Sequence, residues 1–249
     1  HEIRVVVSGK AHQFLKERFS ARENVALEEI HGLTLRYFGN RLDRAGSLFW
    51  NLRNAPKGVK KNVAVYRKVA EEIRQGMDKY LWRPEINRFA RMVNFAPDGA
   101  MEMDLSMDAS MYAIFAYGPY EPNDPKVLST MKQLEDRLWC KTKVGGMARY
   151  ENDYYHQVSS DVGNVPGNPW FICTLWLALH RIEKAGNLKE LDQAIPLLQW
   201  VASHALPSGV LAEQVNPYSN EPLSVSPLTW SHAAVVPCVE RFLDQQMEL

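Results

Sequence analysis

Two long polar loops set between helical stretches are the feature that most constrains the fold. Apolar residues recur at helical spacing, and the expected helices cover about residues 62–80, 105–117, 125–138, 167–184, 188–204 and 227–246. The connections over 139–166 and 205–226 are long, and such loops inside a compact domain are usually functional or disordered. Paired helices that close on themselves would gather these loops at one end, as in an α/α toroid. The pattern alone fits a solenoid of helical pairs equally well.

The N-terminal third is less regular. Residues 3–19 fit either one helix or a short strand followed by a helix, and residues 29–50 carry apolar positions at helical spacing. The segment 54–58, NAPKG, breaks that pattern, and residues 88–99 alternate in a way that predicts a short strand pair ending in a turn. No stretch has the composition of a linker. The sequence therefore predicts one all-α domain over residues 1–249 with about eight helices.

Local signals predict where two of the helices begin. Asp124 precedes Pro125, the arrangement of a capping residue followed by proline in the first turn. Ser226 and Pro227 predict the same start for the last helix.

Composition and charge argue against several classes of function. Lysine plus arginine and aspartate plus glutamate number 29 each, so the formal net charge is zero, which argues against a nucleic-acid binder. No apolar run approaches the ~18 residues that span a bilayer, and the opening HEIRVVVSGK lacks the apolar segment of a signal peptide. Cys140, Cys173 and Cys238 have neither metal-ligand spacing nor the pattern of a disulfide framework. Buried thiols and a cytoplasmic location are favoured.

The two long loops are rich in the residue types that bind sugars. Their polar and aromatic side chains include Arg149, Tyr150, Glu151, Asp153, Tyr154, Tyr155, His156 and Trp170 in the first loop, and Glu213, Gln214, Asn216, Tyr218 and Trp230 in the second. Sugar rings present apolar C–H faces to aromatic rings, while their hydroxyls need carboxylate, amide and guanidinium partners. Each residue alone is more simply explained as a core anchor or a solvated group. Composition thus predicts no more than a site for a sugar or another polar ligand.

Three consecutive segments give this pattern a specific form. ARYENDYY, then GNPWF with CTLWLA, then GVLAEQVNPYSNEPLSVSPLTWSHA occur in this order over residues 145–233. They resemble signatures of the glycoside hydrolase family 15 glucoamylases, a family that includes glucodextranases and microbial trehalases. A weaker likeness extends upstream through MDLSMDASM and NDPKVLSTMKQLEDRL. The resemblance implies an (α/α)6 barrel with its active site at one mouth, of whose twelve helices this chain supplies about eight.

The resemblance implies a catalytic base in the second loop. In the family, the glutamate of the segment resembling VLAEQ is that base, which implies this role for Glu213. Such enzymes invert: the base activates water on one face of the sugar while a carboxylic acid protonates the leaving oxygen. Gln214 and Ser231 are candidates to support the base. No metal or organic cofactor is implied, because this hydrolysis needs only two carboxyl groups and water.

The general acid is implied by a shorter motif. In the family it is the first glutamate of a motif resembling LWEE that is followed by glycine, and the segment ALEEIHG at residues 26–32 places Glu28 there. Glu29 would then bond sugar hydroxyls. Leu27 replaces the expected tryptophan. From the residues alone, Glu28 and Glu29 fit surface positions at a helix N-terminus, where the dipole favours acids.

The resemblance also implies a set of substrate-binding residues. Besides Glu29, this set comprises Arg149, Tyr150, Asp153, Tyr155, Trp170 and Trp230. Trp230 would wall the site, and a buried tryptophan opening the last helix is an equally compatible interpretation. The implied substrate is an α-linked glucose oligosaccharide or disaccharide, with trehalose included.

Parts of the family pattern are missing from this sequence. The motif resembling WxRD, which grips the reacting sugar in the family, does not occur, and about four barrel helices have no counterpart. We therefore expect a C-terminal portion of a catalytic domain that needs a complementary N-terminal segment or self-association, because an open toroid exposes apolar flanks. The alternative is a non-catalytic toroid that retains a carbohydrate-binding mouth. A helical-repeat interaction protein is a third interpretation, disfavoured by the non-repeating loops.

Overall fold

The computed structural model describes residues 3–7, 25–29 and 63–249, with side chains from residue 67 onward. Its internal contacts divide the chain into two compact units. The first comprises His1–Asp78 with Ala113–Tyr120, and the second comprises Lys79–Tyr112 with Glu121–Leu249.

The first unit contains a parallel strand pair. β1 (Ile3–Val7) pairs with β2 (Val25–Glu29) from Ile3 opposite Val25 to Val7 opposite Glu29. β1 agrees with the prediction of a short strand near the N-terminus. The position of Glu28 and Glu29 differs from the sequence interpretation, because they end a β-strand and do not begin a helix.

The other elements described in the first unit are helical. α1 (Val63–Tyr80) matches the helix predicted over residues 62–80, and its last two residues belong to the second unit. α2 (Ala113–Ala116) is a single turn. The Tyr120 hydroxyl donates to Asp78 Oδ1 at 2.7 Å, which ties the segment after α2 to α1. The predicted helix over 29–50, apart from residue 29, and the breaker at 54–58 lie outside the described residues.

The second unit begins with short strands. β3 (Trp82–Arg83) pairs with β4 (Arg88–Phe89), and β5 (Met92–Phe95) forms an antiparallel hairpin with β6 (Met101–Asp104). The strand pair predicted over residues 88–99 is right in part: β5 lies in that range, but its partner β6 follows the turn at 96–100. The helix predicted over 105–117 is wrong in length: only a 3₁₀ turn at Ala109–Tyr112 and α2 form.

Six helical elements follow in this unit. They are α3 (Pro125–Leu138), α4 (Phe171–Glu183), α5 (Leu188–Leu191), a 3₁₀ turn (Asp192–Ala194), α6 (Ile195–Ser203) and α7 (Thr229–Glu248). The second long loop also holds a two-residue pair, β7 (Gln214–Val215) with β8 (Pro222–Leu223).

The two predicted helix starts have different outcomes. Asp124 caps α3, because its Oδ1 accepts from Lys126 N at 2.8 Å and Pro125 occupies the first turn. Ser226 does not cap α7. That helix begins at Thr229 after an extended Leu228 without a side-chain cap, and the Ser226–Pro227 peptide is cis.

The core of the second unit is built around α4. This helix packs against α6 and α7, and nine of its thirteen residues are buried, including Phe171, Ile172, Cys173, Leu175, Leu177, Ala178 and Ile182. Because α4 is enclosed, the residue before it, Trp170, is held firmly at the helix N-terminus. All three cysteines are free and buried, as predicted. Burial raises the pKa of Cys140 and Cys238 to about 12, so neither is a reactive thiolate at neutral pH.

Candidate functional site

A buried ion pair lies at the centre of the first long loop. Asp153 is 1% exposed, and its two carboxylate oxygens accept from Arg149 Nη2 at 2.8 Å and Nε at 2.9 Å. Asp153 Oδ1 also accepts from Tyr155 N at 3.0 Å. This two-point contact fixes both the position and the plane of the guanidinium group.

Aromatic rings surround the same guanidinium group. Its carbon lies 4.6 Å from the ring centre of Trp170, 4.7 Å from that of Tyr150 and 5.3 Å from that of Tyr155. Burial disfavours the charged guanidinium, but the hydrogen bonds and charge of Asp153 outweigh it and hold the pKa of Arg149 above its usual value. Burial, with the Asp153 charge, raises the pKa of Tyr150, so its hydroxyl stays protonated. Four predicted binding residues therefore meet in one place around Arg149.

The two long loops are joined by their backbones beside this cluster. Trp170 forms an isolated antiparallel bridge with Gln214, and Val215 N donates to Pro169 O at 3.0 Å. Tyr155 adds a side-chain link, its hydroxyl lying 3.4 Å from Ser224 Oγ. The segment that carries Glu213 is thus fixed against the start of α4.

Glu213 itself is half-buried and held by neighbours on several sides. Its backbone N donates to Val225 O at 2.9 Å, and Gln214 Nε2 donates to its Oε2 at 3.3 Å. The buried Ser231 hydroxyl donates to Ala212 O at 2.8 Å, immediately before Glu213. Gln214 thus contacts the Glu213 side chain and Ser231 the backbone beside it, and their roles in supporting a base stay predictions. The geometry gives one carboxylate with a fixed backbone, a directed donor and access to solvent.

The His232 side chain makes a hydrogen bond that the sequence did not predict. Its Nε2 accepts from Leu211 N at 3.0 Å. The contact ties the start of the Glu213 segment to α7.

Trp230 is exposed, which corrects the alternative of a buried tryptophan. Its accessible fraction is 54%, and its ring packs edge-on against Trp176 at 5.8 Å between centres. Trp176 in turn stacks on Tyr112 at 4.3 Å with an interplanar angle of 7°. A ring supported from behind and open in front is suited to stacking on a sugar face.

The described structure does not test the roles predicted for Glu28 and Glu29. They end β2 in the first unit, and their side chains lie outside the described residues. Their roles as general acid and sugar-binding residue stay predictions.

Sequence reasoning missed two groups of residues at the site. Asn168 is buried and contacts Gln214, His156 and Val158. Arg91 pairs with Asp104 and Asp108 at 3.0 and 2.9 Å and lies 5.5 Å from the Tyr150 ring. An asparagine next to proline looks like an ordinary turn residue, and Arg91 lies far from the loop in sequence. The sequence around each of these two residues does not indicate a role at the site.

Among the residues whose side chains are described, 67–249, no cluster of three or more His, Cys, Asp or Glu could hold a metal ion. No helix in the described part of the chain is long and apolar enough to cross a membrane.

Two family models match the chain. The model of glycosyl hydrolases family 15 matches residues 52–240, well over half of the sequence. The model of glycosyl transferase family 1 matches residues 1–78, so the two matches overlap over part of α1 and the segment before it.

Characterised and predicted hydrolases are among the similar sequences. An uncharacterized glycosyl hydrolase of Methanocaldococcus jannaschii is 28% identical over 67% of this chain and 26% of its own length. A glucoamylase of Clostridium sp. is 29% identical over 55% of this chain and 20% of its own length. A trehalase of Mycobacterium tuberculosis is 26% identical over 58% of this chain and 20% of its own length. The chain thus spans about a fifth to a quarter of these relatives.

The fold agrees with solved structures of the same kind. A bacterial glucoamylase complexed with acarbose superposes with a TM-score of 0.62 at 20% identity, covering 82% of this chain and 33% of that one. This likeness shows the predicted fold, an all-α α/α toroid of which the chain carries a part. Together with the family match over residues 52–240, it shows that the chain belongs to glycosyl hydrolases family 15.

Proposed function

We propose that this chain carries the catalytic base and part of the glucose-binding wall of an inverting glycoside hydrolase that acts on α-glucosides. The observation that carries the proposal is the position of Glu213: a half-buried carboxylate, fixed by backbone bonds, on a loop bridged to Trp170. A general base must be held still while a water molecule reaches it. The fixed backbone meets the first need and partial exposure meets the second.

The wall of the site supports a sugar as the ligand. Arg149 offers N–H groups beside the aromatic faces of Tyr150 and Trp170, and Trp230 presents a further open ring. Asp153 is buried and bonds one edge of the guanidinium group, and the Arg149 side chain as a whole is 32% exposed. Similarity to a glucoamylase and a trehalase favours α-linked glucose as the sugar. We propose malto-oligosaccharides or trehalose as substrates.

The mechanism also needs a general acid, which is assigned separately from the base. An inverting enzyme needs a carboxylic acid roughly 6.5–9.5 Å from the base, so that water fits between base and sugar. Glu28 stays our prediction for that acid. Two observations weigh against it: it ends β2, and it precedes residue 52, where the family 15 match begins.

A second candidate function concerns the N-terminal residues. The glycosyl transferase match covers residues 1–78, and the β1–β2 pair inside it is parallel, as strands commonly are in α/β folds. If this segment is part of a transferase unit, the barrel begins near α1 and Glu28 has no role in hydrolysis. Our sequence prediction places residues 1–249 in one barrel domain. Calorimetric titration with a nucleoside diphosphate sugar distinguishes the two, because only a transferase unit should bind it.

The proposal also includes a covering partner for α7. Apolar side chains at Val236, Val239, Leu243 and Met247 are exposed along one side of this helix. The superposed glucoamylase chain is about three times as long as the matched part of this one. We propose that complementary helices of the same barrel, or a second copy of this chain, cover that side. Size-exclusion chromatography with light scattering should detect self-association that Leu243→Glu abolishes; a monomeric parent chain would contradict self-association.

The test of hydrolysis compares two loop variants. Glucose release from maltose, maltotetraose, isomaltose and trehalose is measured with NMR that resolves the anomers, for the parent chain, Glu213→Gln and Glu221→Gln. Glu221 is an exposed carboxylate in the same loop, so its variant is the matched control. With maltotetraose we expect β-glucose from the parent and the control, and a rate lower by at least about a thousandfold in Glu213→Gln.

Other outcomes separate the alternatives. With maltotetraose as substrate, α-glucose as the first product would overturn the inverting mechanism, and a fully active Glu213→Gln would overturn the base. A chain that binds glucose or acarbose without hydrolysing anything would favour the carbohydrate-binding toroid. Glu28→Gln tests the acid directly: unchanged hydrolysis removes Glu28 from the mechanism and leaves the Glu213 assignment intact.

A further inference from the structure

Asn168 is a buried polar side chain near the site that the mechanism has not used. It is 1% exposed and lies between Gly167 and Pro169, just before Trp170. Its Nδ2 donates to His156 O at 2.7 Å and to Gln214 Oε1 at 2.8 Å, and its Oδ1 accepts from Val158 N at 3.3 Å. All its principal hydrogen-bonding groups are therefore engaged, one of them by a residue adjacent to Glu213.

The polarity of these bonds is determined by the backbone. A carbonyl such as His156 O can only accept and an amide such as Val158 N can only donate, so the Asn168 side-chain amide has one allowed orientation. In that orientation its second N–H faces Gln214 Oε1. Gln214 must then point its own Nε2 towards Glu213 Oε2, 3.3 Å away. The backbone groups of residues 156 and 158 thus fix the orientation of the Asn168 amide, which fixes that of the Gln214 amide, whose N–H faces the Glu213 carboxylate.

We infer that Asn168 is a positioning residue that sets the orientation of the Gln214 amide and thereby holds the Glu213 carboxylate in place. The inference rests on the proposed function of Glu213 as base. Without Asn168, only the 3.3 Å contact with Glu213 Oε2 distinguishes the two orientations of the Gln214 amide. With the amide reversed, its carbonyl oxygen would face the Glu213 oxygens, and the carboxylate would turn away from the lone pairs that repel it.

The first test separates positioning from substrate binding. A residue that acts only by placing the base should change kcat and leave KM nearly constant, whereas general damage to the loop would weaken binding too. We expect Asn168→Ala to lower kcat about tenfold, as for loss of a directed hydrogen bond to a charged group. The matched control is Asn164→Ala, an exposed asparagine in the same loop that bonds Asp161 and should change neither constant.

The second test asks whether the effect passes through Gln214. In a Gln214→Met background the relay is already broken, so adding Asn168→Ala should lower kcat by less than about twofold. A full tenfold loss in that background would overturn the inference, because Asn168 would then act by another route. If Asn168→Ala does not fold, Asn168→Asp is used. Its carboxylate keeps the side-chain shape and attracts the Gln214 Nε2, and the same non-additivity is expected.

A third measurement does not require catalysis. The side-chain NH₂ resonances of Gln214 are identified by their loss in Gln214→Met, and their chemical shifts and hydrogen exchange are compared in the parent chain and Asn168→Asp. We expect shifted resonances and faster exchange; unchanged signals would overturn the inference even in an inactive chain. If Glu213→Gln retains activity, the proposed base fails instead. If Glu213→Gln is inactive and the Asn168 variants are normal, only the positioning role fails.

Discussion

Replacing Asp153 with asparagine should destabilise the second unit by about 3 kcal/mol. Asp153 is 1% exposed and holds Arg149 through two hydrogen bonds. Removing one partner of a buried ion pair costs about 3–5 kcal/mol, because the remaining charge loses its compensation. The Arg149 side chain is 32% exposed, so water screens part of the loss and the lower end of that range applies.

The assay is the thermal unfolding midpoint, measured by calorimetry. For a folded unit of this size, about 3 kcal/mol corresponds to a decrease of about 6–12 °C in Tm. The matched control is Asp136→Asn, since Lys132 and Asp136 are 2.9 Å apart with side chains 74% and 58% exposed. That pair should leave Tm unchanged because solvent screens it. A midpoint for Asp153→Asn that equals the control would refute the reasoning, since burial would then make no difference.

Three further predictions concern residues around the core and the site. Burial, opposed by a hydrogen bond to Pro122 O and aided by nearby positive charges, lowers the pKa of His180 to about 4. Unfolded histidine gains its proton near pH 6.5, so stability is complete above that pH and falls by up to about 3 kcal/mol towards pH 4; His180→Gln should flatten that dependence of Tm. Gly167→Ala places a Cβ 2.8 Å from Asp153 Cβ and should cost about 1–3 kcal/mol in calorimetry, and an unchanged Tm would mean the loop shifts freely. Trp230→Ala should weaken glucose binding about fivefold with Tm almost unchanged, because the ring is exposed; a large loss of stability would assign it to the core.

Helix positions could be predicted where the signals are local. α3 spans residues 125–138 as predicted, because Asp124 and Pro125 specify its start and periodicity specifies its length. The helix predicted over 105–117 failed for a tertiary reason. Asp108 bridges to Tyr150, and Ala109 N donates to Arg149 O at 2.7 Å, so these backbone groups bond the first long loop and not a helix of their own.

In the candidate site too, residues with local sequence signals could be predicted and residues placed by tertiary contacts could not. Glu213, Arg149 and Trp170 lie in segments specific enough to be identified from sequence, and the structure joins their loops. Asn168 was missed because its partner Gln214 is 46 positions away, and sequence spacing does not show which distant amides will meet. Long-range pairing of this kind is decided by tertiary packing.

The bonds that hold the base also explain how long polar loops can be ordered beside a core. Such loops carry many backbone N–H and C=O groups, and each must find a partner or water. Here the partners come from the other loop or from α7: Val215 N donates to Pro169 O, and the Ser231 hydroxyl donates to Ala212 O. The same bonds therefore order the loops and fix Glu213. All the contacts that we have named for Glu213 come from residues of the second unit. For that reason its assignment does not depend on Glu28, and the acid can prove to be another residue without weakening the case for the base.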